Sequence, residues 1–366
     1  MSKSVTGVIG ILTAGGDCPG LNAAIRGIGK AALGEYGMQV VGISAGFDGL
    51  INNHTRILTD QDFSGILTQG GTILGASREK PFVKKGPVDV SGDKPAKAVA
   101  TYKKLGLDSL VCLGGNGTQT TAWRLSQLGL NVMGLPKTID NDLAETDVSF
   151  GFYSAVDITT EAIDRLHTTA HAHNRVMVVE VMGHKAGWLG LNAGVAGGGD
   201  VILIPEIPYE SDVIVQHLVD RARKGKRFSI VVVAEGALSK KESKDKEEEK
   251  EKGKKKDKVA EARPSAGYRV ACEIETATGM ETRVTVLGYL QRGGIPSPFD
   301  RLMATRFGTE AVRLLAKGKY NRMVVFKNGE VTNVDIEKVA GKTRLVPPDH
   351  ELIQCAKMVG TCFGDE

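Results

Sequence analysis

The stretch Lys137-Thr-Ile-Asp-Asn-Asp142 gathers two carboxylates, an amide, a hydroxyl and an ammonium directly after an apolar run. That set suits phosphoryl transfer, which needs a base for the attacking hydroxyl and cations for the moving phosphoryl group. Asp140 and Asp142 can divide base and metal work, and an ordinary Asn/Asp turn is the alternative. Two Gly-rich stretches, Ala14-Gly-Gly-Asp-Cys-Pro-Gly20 and Gly114-Gly-Asn-Gly-Thr118, each separate an apolar run from a helical pattern. Exposed amides at such a junction cradle phosphate, helped by the helix dipole. One such loop is equally a tight strand-to-helix connection, but two in one sheet favour a phosphate-rich ligand. Arg78, Arg175, Arg283 and Arg292 flank strands or Gly-rich loops, and guanidinium groups grip phosphate oxygens bidentately. His184 and the group His167, His171 and His173 lack ligand spacing with carboxylates, so the group reads as a helix end.

Common nucleotide fingerprints fail. Gly115-Asn-Gly117 is followed by Thr120 where the dinucleotide pattern requires Gly, and Gly341-Lys-Thr343 has Ile336 where a P-loop has its first Gly.

These residues need a frame to hold them. Apolar runs at 8–12, 39–43, 110–113, 132–135, 176–181, 201–204, 230–233 and 284–287 read as buried strands, with helical patterns between most of them. Near-continuous Val/Ile/Leu runs separated by helices indicate parallel sheets covered on both faces, hence an α/β class. In such sheets ligands sit at the carboxyl ends of strands, where the Gly-rich and polar stretches fall. The 366 residues suffice for two lobes, and 41% hydrophobic with 25% charged residues excludes a wholly disordered chain. No apolar run approaches the roughly 18 residues of a membrane helix.

The formal charge is +4, of which residues 239–258 supply +3 through ten Lys and seven Asp or Glu. The near-neutral remainder and the 5% aromatic content argue against a nucleic-acid surface. The 239–258 segment has no apolar residue and is expected to be a flexible surface insertion. Five cysteines, odd in number and without CxxC pairs, fit a reducing compartment. The opening residues show no leader pattern, so a cytoplasmic protein is expected.

Together these stretches resemble the 6-phosphofructokinase family. The carrying motifs, in order, are Gly15-Gly-Asp-Cys-Pro-Gly-Leu-Asn-Ala-Ala-Ile-Arg26, Gly70-Gly-Thr-Ile-Leu-Gly75 with Arg78, Gly114-Gly-Asn-Gly-Thr118, Lys137-Thr-Ile-Asp-Asn-Asp142, Val179-Glu-Val-Met-Gly-His184 and Leu287-Gly-Tyr-Leu-Gln-Arg-Gly-Gly294. The resemblance implies two three-layer α/β lobes with mostly parallel sheets. Residues 1–150 plus 291–345 would form a nucleotide lobe, and 151–290 plus 346–366 a sugar-phosphate lobe. The implied reaction transfers the γ-phosphoryl group of Mg-ATP to the 1-hydroxyl of fructose 6-phosphate, giving fructose 1,6-bisphosphate.

By position, the resemblance makes Asp140 the base, with Thr138, Arg78 and Lys137 in the catalytic set. Gly16, Arg78, Gly115, Asn116, Gly117 and Thr118 would surround the donor, and Asn116 and Asp142 would attend Mg2+. Thr138, Asp140, Arg175, Met182, Gly183, His184, Glu235, Arg283, Tyr289 and Arg292 would bind the sugar phosphate. In this family the equivalents of Arg175 and Arg283 reach in from a neighbouring subunit, which implies a homodimer or homotetramer. No nucleic-acid or membrane partner is implied. Arg26 and Lys30 are candidate effector-phosphate contacts.

Three positions depart from the family pattern. Asn116 replaces a metal-associated Asp, and Tyr289 replaces a His. Lys137 replaces the Gly common in ATP-dependent bacterial members; Lys there marks pyrophosphate users and a mixed-donor subgroup. Gly117 favours ATP, because the Asp of pyrophosphate enzymes would overlap and repel an α-phosphate. A pyrophosphate-dependent enzyme, a lipid or NAD kinase sharing the short Gly-rich loop, and a non-catalytic sugar-phosphate sensor are the competing readings.

Overall fold

A computed structural model describes residues 7–82, 93–251 and 265–365. It divides into two compact units, Met1–Ser154 with Arg292–Arg344, and Ala155–Gln291 with Leu345–Glu366. The sequence-drawn boundaries were 150/151, 290/291 and 345/346.

The first unit holds β1 (Val8–Thr13), β2 (Gln39–Ile43), β3 (Thr55–Leu58), β4 (Ser109–Gly114), β5 (Val132–Pro136), β10 (Arg322–Lys327) and β11 (Glu330–Asp335) in the order β11-β10-β5-β4-β1-β2-β3. The β2–β3 and β10–β11 pairs are antiparallel and the rest parallel. Every residue of β4 and β5 is buried, as strands covered on both faces require. From β1 the chain steps to β2 on one side and returns to β4 on the other. The topological switch point therefore lies between β1 and β4, where ligands bind open α/β sheets. Register aligns the exits, since Thr13 faces Leu113 and Gly114 faces Pro136.

Two helices of this unit, α1 (Leu21–Gly34) and α10 (Pro298–Ala316), pack against each other through glycines. A Cβ on Gly308 would stand 2.7 Å from the Ala24 carbonyl oxygen, and one on Gly27 3.0 Å from that of Thr305. Only a residue without a side chain permits this approach.

The second unit builds an all-parallel sheet, β7-β8-β6-β9, from β6 (Val176–Val181), β7 (Val201–Leu203), β8 (Ser229–Ala234) and β9 (Thr282–Val286). Its core joins strand residues such as Val178 and Val231 to Ile214 and Leu218 of α7 (Ser211–Arg223) and to Val270 and Ile274 of α9 (Ala266–Thr278).

Three strands went unread in the sequence: β3, β10 and β11. Both β3 and β11 are sheet edges with exposed side chains, so neither forms an apolar run. The insertion also departs from expectation, because residues 240–251 form the helix α8 (Lys240–Glu251). Ser239 Oγ accepts from the Glu242 amide at 3.3 Å while the Glu242 carboxylate accepts from the Ser239 amide at 3.1 Å, a reciprocal cap. Lys240 pairs with Glu210 at 2.5 Å and Glu242 with Arg269 at 3.3 Å. Lack of apolar residues was the wrong criterion here, since Lys and Glu are good helix formers once a cap is present. Residues 252–258 lie outside the described residues.

Candidate active site

In the first unit the loops after β1, β4 and β5 leave the sheet side by side. The β1 loop turns at Gly15, whose φ of 82° is costly for any residue with a side chain. It is laced to its neighbours: the Ala14 amide donates to the Leu113 carbonyl and the Gly15 amide to the Ser77 carbonyl, both at 3.0 Å. The second contact brings Arg78, the next residue, alongside the Gly-rich turn. Arg78 itself is exposed.

The β4 loop enters α4 (Asn116–Ser126) with Gly115 as its cap. Thr118 is buried, and its hydroxyl donates to the Ala14 carbonyl at 3.4 Å, joining the two Gly-rich loops. Gly117 faces Lys80. A Cβ there would fall within 3.0 Å of the Lys80 ammonium, so that cation occupies the space a side chain would need. Asn116 turns its amide nitrogen to the Lys342 carbonyl and, at 3.0 Å, to Thr343 Oγ1.

The β5 loop is the most constrained. Lys137 is only 3% exposed and its ammonium donates to the Gly16 carbonyl. Burial holds its pKa below the ordinary 10.5, with Arg292 acting in the same direction and Cys18, Asp17 and Asp140 opposing. Asn141 sits at φ 51°, and its side chain bridges Asp147 O (3.1 Å) and the Ser149 amide (2.9 Å). The Ser149 hydroxyl holds the Thr138 carbonyl at 2.8 Å, and the Asp140 amide donates to Thr138 Oγ1 at 3.1 Å. Asp140 and Asp142, both half-buried, are thereby carried on a backbone with little freedom.

These oxygen donors fit a hard divalent cation that arrives with a nucleotide, which takes one or two carboxylates plus waters. Asp142 supplies a carboxylate, and with its nitrogen committed, Asn116 offers only its amide oxygen. Among the described residues no three His, Cys, Asp or Glu side chains group as a metal cage.

In the second unit Met182, Gly183 and His184 follow β6 and Glu235 follows β8. The Glu235 amide donates to Val181 O at 2.8 Å, and Gly183 has φ 134°. Gln291, fully buried, accepts from the Met182 amide at 3.2 Å and donates to Gly288 O at 3.1 Å. It thus ties the turn bearing Tyr289 to the turn after β6. Tyr289, 73% exposed, points away from the core.

Arg175 and Arg283 are elsewhere. Arg175 precedes β6 and Arg283 pairs in register with Met177, at the opposite end of the same strands. Both grip Glu281, Arg175 at 2.9 Å, and hold its carboxyl below the usual range. The length of β6 separates Arg175 from Met182 by roughly 20 Å. One chain therefore does not bring these arginines to Met182 and Glu235.

Arg292 falls in the first unit. Its guanidinium donates to Asp17 O at 3.0 Å and would lie 2.6 Å from a Cβ on Gly16. The sequence reading missed Lys80, Gln291 and Arg344. Lys80 and Gln291 lie inside or beside quoted motifs, whereas Arg344 follows a stretch set aside as a failed P-loop.

The family described as Phosphofructokinase matches residues 8–315. The chain is 63% identical to an ATP-dependent 6-phosphofructokinase of Spirochaeta thermophila over the whole of both chains. It is 52% identical to ATP-dependent 6-phosphofructokinase 3 of Bacteroides thetaiotaomicron, covering 97% of this chain and 99% of that one. Among solved structures, Pichia pastoris phosphofructokinase in the T-state superposes with TM-score 0.78 at 32% identity, over 93% of this chain and 38% of that one. A pyrophosphate-dependent phosphofructokinase of Marinobacter aquaeolei gives TM-score 0.76 over 98% and 92%, at 23% identity, a likeness of fold. Loops, strand order and full-length similarity agree, and the chain belongs to the phosphofructokinase family.

Proposed function

We propose that this chain transfers the γ-phosphoryl group of ATP to the 1-hydroxyl of fructose 6-phosphate. The observation that carries this reading is the convergence of Gly16, Thr118, Lys137 and Asp140 at three aligned strand ends flanking the switch point. The relatives over 97–100% of the chain are named for ATP rather than pyrophosphate.

Asp140 accepts the proton of the sugar hydroxyl as its oxygen attacks the γ-phosphorus. The bond to the β–γ bridging oxygen breaks and ADP leaves. The Gly16 amide, Thr118 hydroxyl, Arg78 and the Lys137 ammonium surround the transferred group, whose charge must be matched for the reaction to proceed. Lys137 is set for this by burial, because a cation in a dry site acts more strongly than one in water. Bound Mg2+ supplies further charge neutralisation, with Asp142 and the Asn116 amide oxygen as the residues that would hold it.

The first unit then serves ATP, and the second presents Met182, Gly183, His184, Glu235 and Tyr289 to the sugar. The position of Arg175 and Arg283 at the far strand ends supports a site completed by a second copy, hence a homodimer or homotetramer. The five cysteines are all unpaired, which fits the reducing cytoplasm.

Asp140→Asn is the test. Turnover is expected to fall by about 10²–10⁴ while fructose 6-phosphate binding, read by titration calorimetry, changes little. Retained turnover would remove Asp140 from the role of base.

A further inference from the structure

Four residues near the end of the first unit, 341–344, touch both catalytic loops. At one end the Gly341 amide donates to Thr120 Oγ1 at 3.0 Å, and Asn116 donates to Lys342 O and to Thr343 Oγ1. These contacts fix the first turn of α4, which carries Gly117 and Thr118. At the other end Thr343 bridges Leu143, the Arg344 amide donates to Asp142 O at 2.8 Å, and the Arg344 guanidinium is laid across the β5 loop. Its Nη2 donates to Asn141 O at 3.0 Å and to Asp147 O at 2.9 Å, and Nε to Asn141 O at 3.3 Å.

This is an uncommon use of a cation. Burial pushes the guanidinium pKa down, with the Asp147 and Asp142 carboxylates opposing, and its hydrogen bonds run to backbone carbonyls of the segment bearing Asp140 and Asp142. The carbonyl of Asn141 stands between the two carboxylates in sequence, on a residue in the left-handed region. Holding that peptide holds both neighbours.

Asn116 gains a reason as well. The atom facing a carbonyl oxygen has to be a donor, and a carboxylate has none. An Asp at 116 would push Lys342 away instead of holding it.

We propose that the 341–344 segment is the positioning strap of phosphoryl transfer, with Arg344 and Asn116 as its two anchors. Neither anchor acts on the sugar: Arg344 works through the Asn141 and Asp142 peptides, and Asn116 through Lys342 and Thr343. The strap sets the spacing between the donor-binding helix and the base. An error of about 1 Å in such a spacing costs on the order of 100-fold in rate. The inference rests on phosphoryl transfer at the Asp140 loop.

The test compares Arg344→Lys, Asn116→Ala and the double variant in the full chain, with ATP and fructose 6-phosphate each varied up to saturation. A single ammonium does not span the Asn141 and Asp147 carbonyls, so Arg344→Lys is expected to lose at least tenfold in kcat with both KM values within threefold. Asn116→Ala is expected to lose at least tenfold in kcat with both KM values within threefold. Because both anchors serve one strap, the double variant should be no slower than about the worse single one. Losses that multiply, or a kcat within twofold of the parent, would overturn the proposal.

If Arg344→Lys is unfolded at the assay temperature, by circular dichroism, the pair Asn116→Ala and Thr343→Ala carries the same cycle. Asp140→Asn run in parallel separates the readings: its activity judges the base, while the strap variants are judged against the parent.

Discussion

Gly117→Asp places a carboxylate where the structure has room for a cation but not for a side chain. The new Cβ would lie within 3.0 Å of the Lys80 ammonium, which must shift or pair with the incoming carboxylate. Either outcome removes a positive charge from the mouth of the donor loop and adds a negative one beside the expected α-phosphate. Two unit charges about 5 Å apart interact by about 3 kcal/mol at an effective dielectric of about 20. Solvent access reduces that to about 1–3 kcal/mol, and losing an exposed Lys80–phosphate contact adds about 0.5–1 kcal/mol. The total of about 2–4 kcal/mol corresponds to a loss of about 30- to 1,000-fold in kcat/KM for ATP. Pyrophosphate has no α-phosphate, so its kcat/KM should change by less than threefold. Steady-state assays with each donor, at fixed fructose 6-phosphate and Mg2+, decide the matter. ATP kinetics within threefold of the parent, or equal losses with both donors, would refute the reasoning. Lys80→Ala separates the two components, with an expected loss of only about 2- to 5-fold, the share assigned to the cation.

Lys137 gives a pH prediction. Its folded pKa lies below 10.5, so with rising pH the ammonium is lost earlier than from an ordinary lysine, and the alkaline limb of kcat should fall below pH 10.5 and vanish in Lys137→Met, as a pH–rate profile would show. Stability carries the opposite sign: between the folded and unfolded pKa values the unfolded chain binds more protons, so this group's contribution to stability rises with pH through that window, measurable by urea unfolding. Mixing two inactive variants, Arg283→Ala and Glu235→Ala, then refolding them together, should restore part of the activity through hybrid sites holding both native residues. No recovery in verified mixed oligomers would place the arginines outside the sugar site.

The fold was legible at most strands where burial left an apolar run, β10 being the exception with Met323, Val324 and Val325 buried but unread. Strands β4, β6 and β8 are wholly buried, and their sequences contain little but Val, Ile, Leu, Cys, Met and Ala with one or two polar or glycine residues. Thr55–Leu58 and Glu330–Asp335 had no such mark, because an edge strand is specified by pairing with one neighbour and leaves its side chains to solvent. Residues 239–251 expose the converse error. Composition spoke to burial, and helix formation there depends on a two-residue cap and neighbouring tethers that composition does not encode.

At the candidate site, the residues that phosphoryl transfer would touch can be nominated from sequence because that reaction dictates their types, and they stand in short contiguous motifs. Residues that hold those motifs in place cannot, since any donor of suitable reach can bind a carbonyl. Arg344 has no motif because the hydrogen bonds that hold it run to backbone carbonyls of Asn141 and Asp147, about 200 positions earlier in the chain. Arg292 shows the same limit from the other direction. Its motif offers a phosphate-binding guanidinium, and the structure holds that guanidinium on Asp17 O beside Gly16. Sequence order reports that a cation is available, and the packing around Gly16 decides which anion it can meet. The substitution at 116 joins both halves of the argument. As a metal ligand, Asn looks like a loss of charge, whereas beside Lys342 it is the residue that can donate. The family resemblance marks Asn116 as standing where an Asp is usual, but what Asn offers there appears only when residues 116 and 342 are seen to meet.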